Sequence, residues 1–151
     1  MLAHRTRLIA APAREIWAIV SDPHHFPRWW PGVVRVEGVN ENRFTQVYTS
    51  KRGRAVRMDF FLLASEPPAG DEPARLSFEQ EVLATPFERV LRQSVTEIEL
   101  QAQHEGARVA ISQEQKLRGY SRTGGWMLRR AAGARLEEAL DGLERLTGSA
   151  S

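Results

Sequence analysis

The sequence predicts an α+β fold in which one curved antiparallel sheet of seven strands wraps around a long C-terminal helix. Three observations support this prediction. Seven segments alternate between apolar and polar residues, which is the period of a strand with one buried face. Turn signals containing Gly, Pro, Asn or Asp separate most of these segments. The last segment instead carries apolar residues at spacings of three and four, which is the period of a helix.

The N-terminal part predicts one strand followed by a short helix. The strand begins at Arg5 and ends at Ala11. Pro12 then suits the first turn of a helix, because its missing N–H would have no helical partner there. Asp22 follows this helix and can cap a second short one. The first helix has an apolar side, in which Trp17 is expected to lie in the core, made of Ile16, Trp17, Ile19 and Val20.

A turn rich in aromatic side chains lies between Pro23 and Pro31. It contains Phe26, Trp29 and Trp30, although turns are usually polar. Large aromatic rings are seldom left fully in water, so these three must lie under another element or line an internal space.

Six further strands are predicted after the aromatic turn. An exposed loop over residues 66–73 interrupts them, because its three prolines exclude a central strand or a helix. A hairpin turn at residues 104–106 joins the last two. The predicted strands are Val33–Val39, Phe44–Tyr48, Val56–Leu63, Leu76–Val82, Val90–Leu100 and Val109–Leu117.

The C-terminal segment predicts a helix of about twenty residues. A flexible joint over residues 119–125 precedes it, and residues 148–151 form a frayed tail. A strongly curved sheet cannot contact one helix along its whole length, so an internal cavity is expected, closed at one end by the short helices. This arrangement is the helix-grip architecture. The apolar stripe of the helix comprises Leu128, Ala132, Leu136, Ala139, Leu140, Leu143 and Leu146.

Composition predicts an ordinary globular protein. The chain has 151 residues, which favours a single domain over residues 1–151, and 26% of them are charged. There is no cysteine, so disulfides and thiolate catalysis are excluded. The net charge of +2 is too small to predict specific nucleic-acid binding. The absence of a long apolar run predicts no transmembrane segment, and the polar start predicts no signal peptide and a cytoplasmic location.

The N-terminal motif resembles a known family. A helix carrying Trp17 is followed by Asp22-Pro23 and then by Trp29-Trp30-Pro31-Gly32. Together with the order of elements, this motif resembles the START-like (SRPBCC) superfamily, and within it the polyketide cyclase/dehydrase-like group. The resemblance covers residues 3 to 147. It implies a cavity for lipids, sterols, quinones, plant hormones or polyketides, and it implies that some members are enzymes.

Polar residues on the predicted inner faces are the main site signal. A buried amide costs free energy unless it is paired. Gln80 and Gln113 therefore either bond each other or water, or orient the polar end of an apolar ligand. Arg92 either binds a ligand carboxylate or, with the register shifted by one, pairs with Glu79 or Glu114. The predicted ligand-binding residues are Trp29, Trp30, Phe44, Tyr48, Phe60, Phe78, Gln80, Arg92, Gln113, Gln115 and Trp126.

Three functions remain open at this point. The first is binding or transport of a hydrophobic small molecule such as a lipid, quinone or polyketide. The second is a polyketide cyclase or aromatase, a cyclase/dehydratase-type lyase, with Tyr48 and Arg92 as catalytic residues. The third is a protein-interaction module of the co-chaperone activator type. The predicted inner faces carry no Asp, Glu or His, which favours binding over catalysis. No cofactor and no metal are expected, and a homodimer is left open.

Overall fold

Seven antiparallel strands form one sheet in the computed structural model, which describes residues 1–119 and 122–148. The strands are β1 (Leu2–Ile9), β2 (Val33–Glu37), β3 (Arg43–Thr49), β4 (Ala55–Glu66), β5 (Ala74–Gln80), β6 (Leu91–Gln103) and β7 (Gly106–Leu117). The helices are α1 (Ala13–Val20), α2 (Phe26–Trp29) and α3 (Arg122–Thr147), and two short 3₁₀ turns cover Pro23–His25 and Pro86–Arg89.

The strand order in the sheet is β1-β7-β6-β5-β4-β3-β2, so the strands from β2 to β7 follow one another as a meander and β1 closes beside β7. The helix α3 packs against β1 and β7 and against α2. Long strands such as β4 and β6 are bent by register shifts, which curve the sheet around the helix. The predicted helix-grip fold, with short helices after the first strand, is confirmed.

Several predicted boundaries differ from the observed ones. The first strand runs from Leu2 to Ile9, because its pairing with β7 begins at the chain start. The helix α3 has 26 residues and begins at Arg122, inside the predicted joint. Its apolar stripe begins only at Leu128, because Trp126 and Met127 before it are exposed. Residues 120 and 121 of the predicted joint, and residues 149–151 of the predicted tail, lie outside the described residues.

The core fills the concave side of the sheet. Leu136, Leu140 and Leu143 from α3 are fully buried against Ile98 and Ile111 of the central strands. A second part of the core is aromatic, and there Phe26 stacks between Trp29 and Phe44. Trp17 is partly buried against this core, as expected for the apolar side of α1.

The C-terminal half of α3 is held tightly against the sheet and α2. Arg7 on β1 donates hydrogen bonds to Glu137, at 2.7 Å, and to Asp141. Gly142 packs so closely on α2 that a Cβ there would lie 2.5 Å from the carbonyl oxygen of Trp29. These contacts fix one half of the helix, and the other half borders the open end of the sheet.

Candidate functional site

An internal cavity of about 100 Å³ lies between the sheet and the middle of α3. We call it the inner cavity. Strands β3 to β7 supply its floor, α3 supplies its roof, and the end of α2 and the 3₁₀ turn at Pro86–Arg89 supply its sides. It is lined by Trp30, Gln46, Tyr48, Met58, Phe60, Phe78, Gln80, Phe87, Leu91, Ser94, Thr96, Gln113, Gln115 and Arg135.

A second cavity of about 210 Å³ adjoins the inner one toward solvent, and we call it the outer cavity. The two share the side chains of Leu91, Gln113, Gln115 and Arg135. Together they reach the volume of roughly 300 Å³ at which small-molecule sites usually begin. The rest of the outer wall is apolar and consists of Val90, Leu117, Leu128, Ala131 and Ala132.

Aromatic rings build one side of the inner cavity. Phe60 and Phe78 lie edge to face, with ring centroids 5.5 Å apart. Phe44 stacks on the far side of Phe60 at 5.2 Å and supports it. Such contacts hold the rings in fixed positions, so this part of the wall is preorganised for an apolar body.

Amides and hydroxyls build the opposite side. Gln113 and Thr96 face each other in the β6–β7 register, and the amide Nε2 donates to the hydroxyl Oγ1 at 3.2 Å. Gln115 and Ser94 repeat this pair at 3.3 Å. The hydrogen bond between Gln80 and Gln113, one of the alternatives that the sequence left open, is therefore not formed.

Gln80 differs from the other cavity amides. It is buried, and its Nε2 has no hydrogen-bond partner among the residues that the structure describes. A buried amide donor without a partner costs about 1–3 kcal/mol. An acceptor group on a molecule inside the cavity would remove that cost once the amide turns toward it.

Tyr48 supplies a phenol at the edge of the inner cavity. Its hydroxyl donates to Oε1 of Gln46 at 2.6 Å. Burial raises the pKa of the Tyr48 phenol, although the nearby Arg135 guanidinium and the Trp30 indole act in the opposite direction. Tyr48 is therefore neutral at physiological pH, and it can donate a hydrogen bond but cannot serve as a base.

Seven of the eleven predicted site residues lie together in the inner cavity. Two others lie behind its wall. Trp29 lines a groove on the outer side of α2 and α3, and Phe44 lines a separate pocket at the far end of the sheet. The seven residues in the cavity are Trp30, Tyr48, Phe60, Phe78, Gln80, Gln113 and Gln115.

The prediction that Arg92 faces inward is wrong. A β-bulge between Leu91 and Gln93 inserts one extra residue into β6, so Leu91 takes the inward position. Arg92 is consequently exposed on the outer face. Its expected alternative partner Glu79 instead accepts a hydrogen bond from Gln93 at 3.3 Å.

The prediction that Trp126 lines the cavity is also wrong. The first turns of α3 extend beyond the sheet, so Trp126 is 55% exposed and lines neither cavity. Its ring instead lies against Arg130, whose guanidinium carbon is 5.7 Å from the ring centroid.

Sequence reasoning missed several lining residues. Gln46 lies two residues from Tyr48 on the same strand, so alternation alone would have placed it on the same face. Ser94 and Thr96 lie an even number of residues from Ile98 and therefore share its face of β6. Leu91 lies on the same face only because of the bulge between Leu91 and Gln93. Arg135 gave no signal, because it sits at the border of the apolar stripe of α3. The other missed residues are Met58 and Phe87.

Acid–base and metal chemistry has few candidate groups here. Among the described residues that line the inner cavity there is no Asp, Glu or His, and Tyr48 and Arg135 are the titratable ones. No group of three metal-ligating side chains occurs within residues 1–119 and 122–148.

None of the helices in the described part of the chain is long and apolar enough to cross a membrane.

Comparison with known proteins gives one family and a set of similar folds. The profile of the family described as polyketide cyclase/dehydrase and lipid transport matches residues 3–148. No curated protein matches the sequence.

Three solved structures illustrate the fold similarity. A START superfamily protein from Mycobacterium smegmatis has a TM-score of 0.74 at 15% identity, with 99% of both chains covered. BexL, a di-domain ARO/CYC protein of the BE-7585A biosynthetic pathway, has a TM-score of 0.74 at 23% identity. The match covers 96% of this chain and 45% of BexL. A protein from Deinococcus radiodurans has a TM-score of 0.65 at 16% identity, over 96% of this chain and 95% of that one. At these identities the likeness shows a shared fold.

Proposed function

This chain belongs to the polyketide cyclase/dehydrase and lipid transport family, and we propose that it binds a small, mostly apolar molecule between α3 and the sheet. One observation carries the proposal: the inner cavity has a fixed aromatic wall on one side and a set of amides on the other. Among these amides, the Nε2 of Gln80 has no hydrogen-bond partner in the described part of the chain. Small-molecule sites typically combine an apolar lining with a few polar groups that orient the ligand.

The proposed ligand lies with its apolar body against Phe60 and Phe78 and with a hydrogen-bond acceptor near Gln80. Gln113 and Gln115 each donate one amide N–H, to Thr96 and to Ser94 respectively. Their carbonyl oxygens remain suited to a donor group on the ligand. The inner cavity holds only part of such a ligand, so the rest of the molecule lies in the adjoining outer cavity.

Binding is favoured over the cyclase alternative because the described residues that line the inner cavity include no group that takes a proton near neutral pH. The catalytic pair expected from the sequence loses Arg92, which lies on the outer face. Tyr48 keeps its proton, since burial raises its pKa. The alternative enzyme would therefore use Tyr48 only as an acid or hydrogen-bond donor. The interaction-module function, a cytoplasmic location and a homodimer stay predictions.

Filling the inner cavity should abolish binding without unfolding the protein. Ser94 is buried at the cavity floor, and a leucine side chain there occupies much of a space of about 100 Å³. We expect Ser94→Leu to weaken binding of the uncharged fluorophore phenylnaphthylamine by at least about tenfold. The free energy of unfolding should fall by no more than about 2 kcal/mol, because the leucine enters existing space and Gln115, which loses the Ser94 hydroxyl as a partner, is only partly buried.

The matched control is Gln93→Leu, at the next position of the same strand but on the outer face. It should leave fluorophore binding unchanged. Equal affinity for the wild type and Ser94→Leu, with both proteins folded by circular dichroism, would place the binding site elsewhere and contradict the proposal.

A further inference from the structure

Arg135 has a different electrostatic environment from the ion-paired arginines of the sheet. Arg7, Arg43 and Arg75 each lie within ion-pair distance of at least one carboxylate. Within the described part of the chain, no carboxylate lies that close to the Arg135 guanidinium. Its guanidinium carbon lies 5.8 Å from the centroid of the Tyr48 ring.

The acidic residues that follow Arg135 on α3 point to other partners. Glu137 and Asp141 bind Arg7 on the opposite side of the helix. Glu138 lines the outer groove that also contains Trp29. The two carboxylates that bind Arg7 therefore do not neutralise the charge of Arg135.

The position of Arg135 connects this charge with the cavities. Its side chain lines both the inner and the outer cavity, so it lies where one opens into the other. Arg135 is an exposed residue, although its side chain borders both cavities. An anion beside Arg135 would keep part of its own hydration. An anion deep in the inner cavity would lose that hydration, at a cost of several kcal/mol.

We propose that the molecule bound here is an organic anion whose acid group binds Arg135 at the junction of the two cavities. The planar guanidinium can donate two parallel hydrogen bonds to a carboxylate or sulfonate. The apolar body of the same molecule lies inward against Phe60 and Phe78. The inference rests on the proposed function and adds to it the charge and the direction of the ligand.

Two fluorophores that share one apolar body test this inference. Anilinonaphthalenesulfonate carries a sulfonate, and phenylnaphthylamine is the same skeleton without it. We expect Arg135→Gln to weaken binding of the sulfonate about tenfold, as for loss of a charge-assisted hydrogen bond at a partly hydrated site. The affinity for phenylnaphthylamine should change less than about twofold. Arg129→Gln, which removes an exposed charge from the same helix, should affect neither probe.

The outcomes separate the two proposals. If both fluorophores bind and Arg135→Gln changes their affinities by the same factor, the anion inference is wrong and the cavity proposal stands. If Arg129→Gln weakens sulfonate binding as much as Arg135→Gln does, the effect is general surface charge and the inference is again wrong. If neither fluorophore binds the folded wild-type protein, both proposals fail.

Discussion

Replacing Phe78 with alanine should lower the free energy of unfolding by about 3–5 kcal/mol, the range for large buried aromatic residues. Phe78 is almost fully buried on β5. Its ring contacts Phe26, Phe44 and Phe60, with centroid distances between 5.4 and 5.8 Å. It also lines both the inner cavity and the pocket at the far end of the sheet. The neighbouring rings support one another, so they cannot collapse easily into the space. Urea unfolding followed by circular dichroism measures the change.

Phe61→Ala is the matched control for Phe78→Ala. Phe61 lies on the adjacent strand β4, is only partly buried, and faces Arg43, whose guanidinium carbon is 6.0 Å from the ring. Its removal should cost about 1 kcal/mol. Similar losses for the two variants would show that Phe78 is not the centre of the aromatic core. Because many domains are stable by only 5–15 kcal/mol, Phe78→Ala should be marginally folded at best.

Gly142→Ala should destabilise the protein by about 2 kcal/mol, although alanine favours helices more than glycine does. The added Cβ would lie 2.5 Å from the carbonyl oxygen of Trp29 and 2.8 Å from its Cα, so α3 and α2 must separate. Overpacking of this kind costs about 1–3 kcal/mol or more, against a gain in helix propensity of up to about 1 kcal/mol. Trp30 follows α2 and lines the inner cavity, so binding of phenylnaphthylamine should weaken too.

Gly125→Ala tests the same substitution on the same helix without the contact. A Cβ at Gly125 meets no atom within 4 Å. This variant should be as stable as the wild type, or more stable by up to about 1 kcal/mol. If Gly142→Ala is equally harmless in thermal and urea unfolding, the close approach of α3 to α2 does not occur in solution.

The fold could be predicted because its rules are local. Alternation along strands such as β5 and β7 determines which face of each strand is buried. The stripe from Leu128 to Leu146 does the same for the helix. A single curved sheet wrapped around the helix buries all of these faces together. The boundaries were less accurate. The N-terminal end of α3 could not be located, because Trp126 and Met127, just before Leu128, are exposed and do not continue the apolar stripe.

The site could be predicted only where alternation was unbroken. Gln80, Gln113 and Gln115 lie at the cavity because their strands keep a constant parity up to the site. Arg92 does not line the cavity, because the bulge between Leu91 and Gln93 interrupts the alternation of β6. Arg135 could not be found from the sequence at all, since its position depends on how α3 lies across the sheet.

The central claim is that a small molecule occupies the space between α3 and the sheet, and native mass spectrometry of the protein purified from its own source tests it most directly. We expect a folded species heavier than the chain by the mass of one small molecule. The extra mass should disappear on denaturation and in the Ser94→Leu variant prepared in the same way. A wild-type spectrum that contains the bare chain alone, or an adduct retained equally by Ser94→Leu, would contradict it.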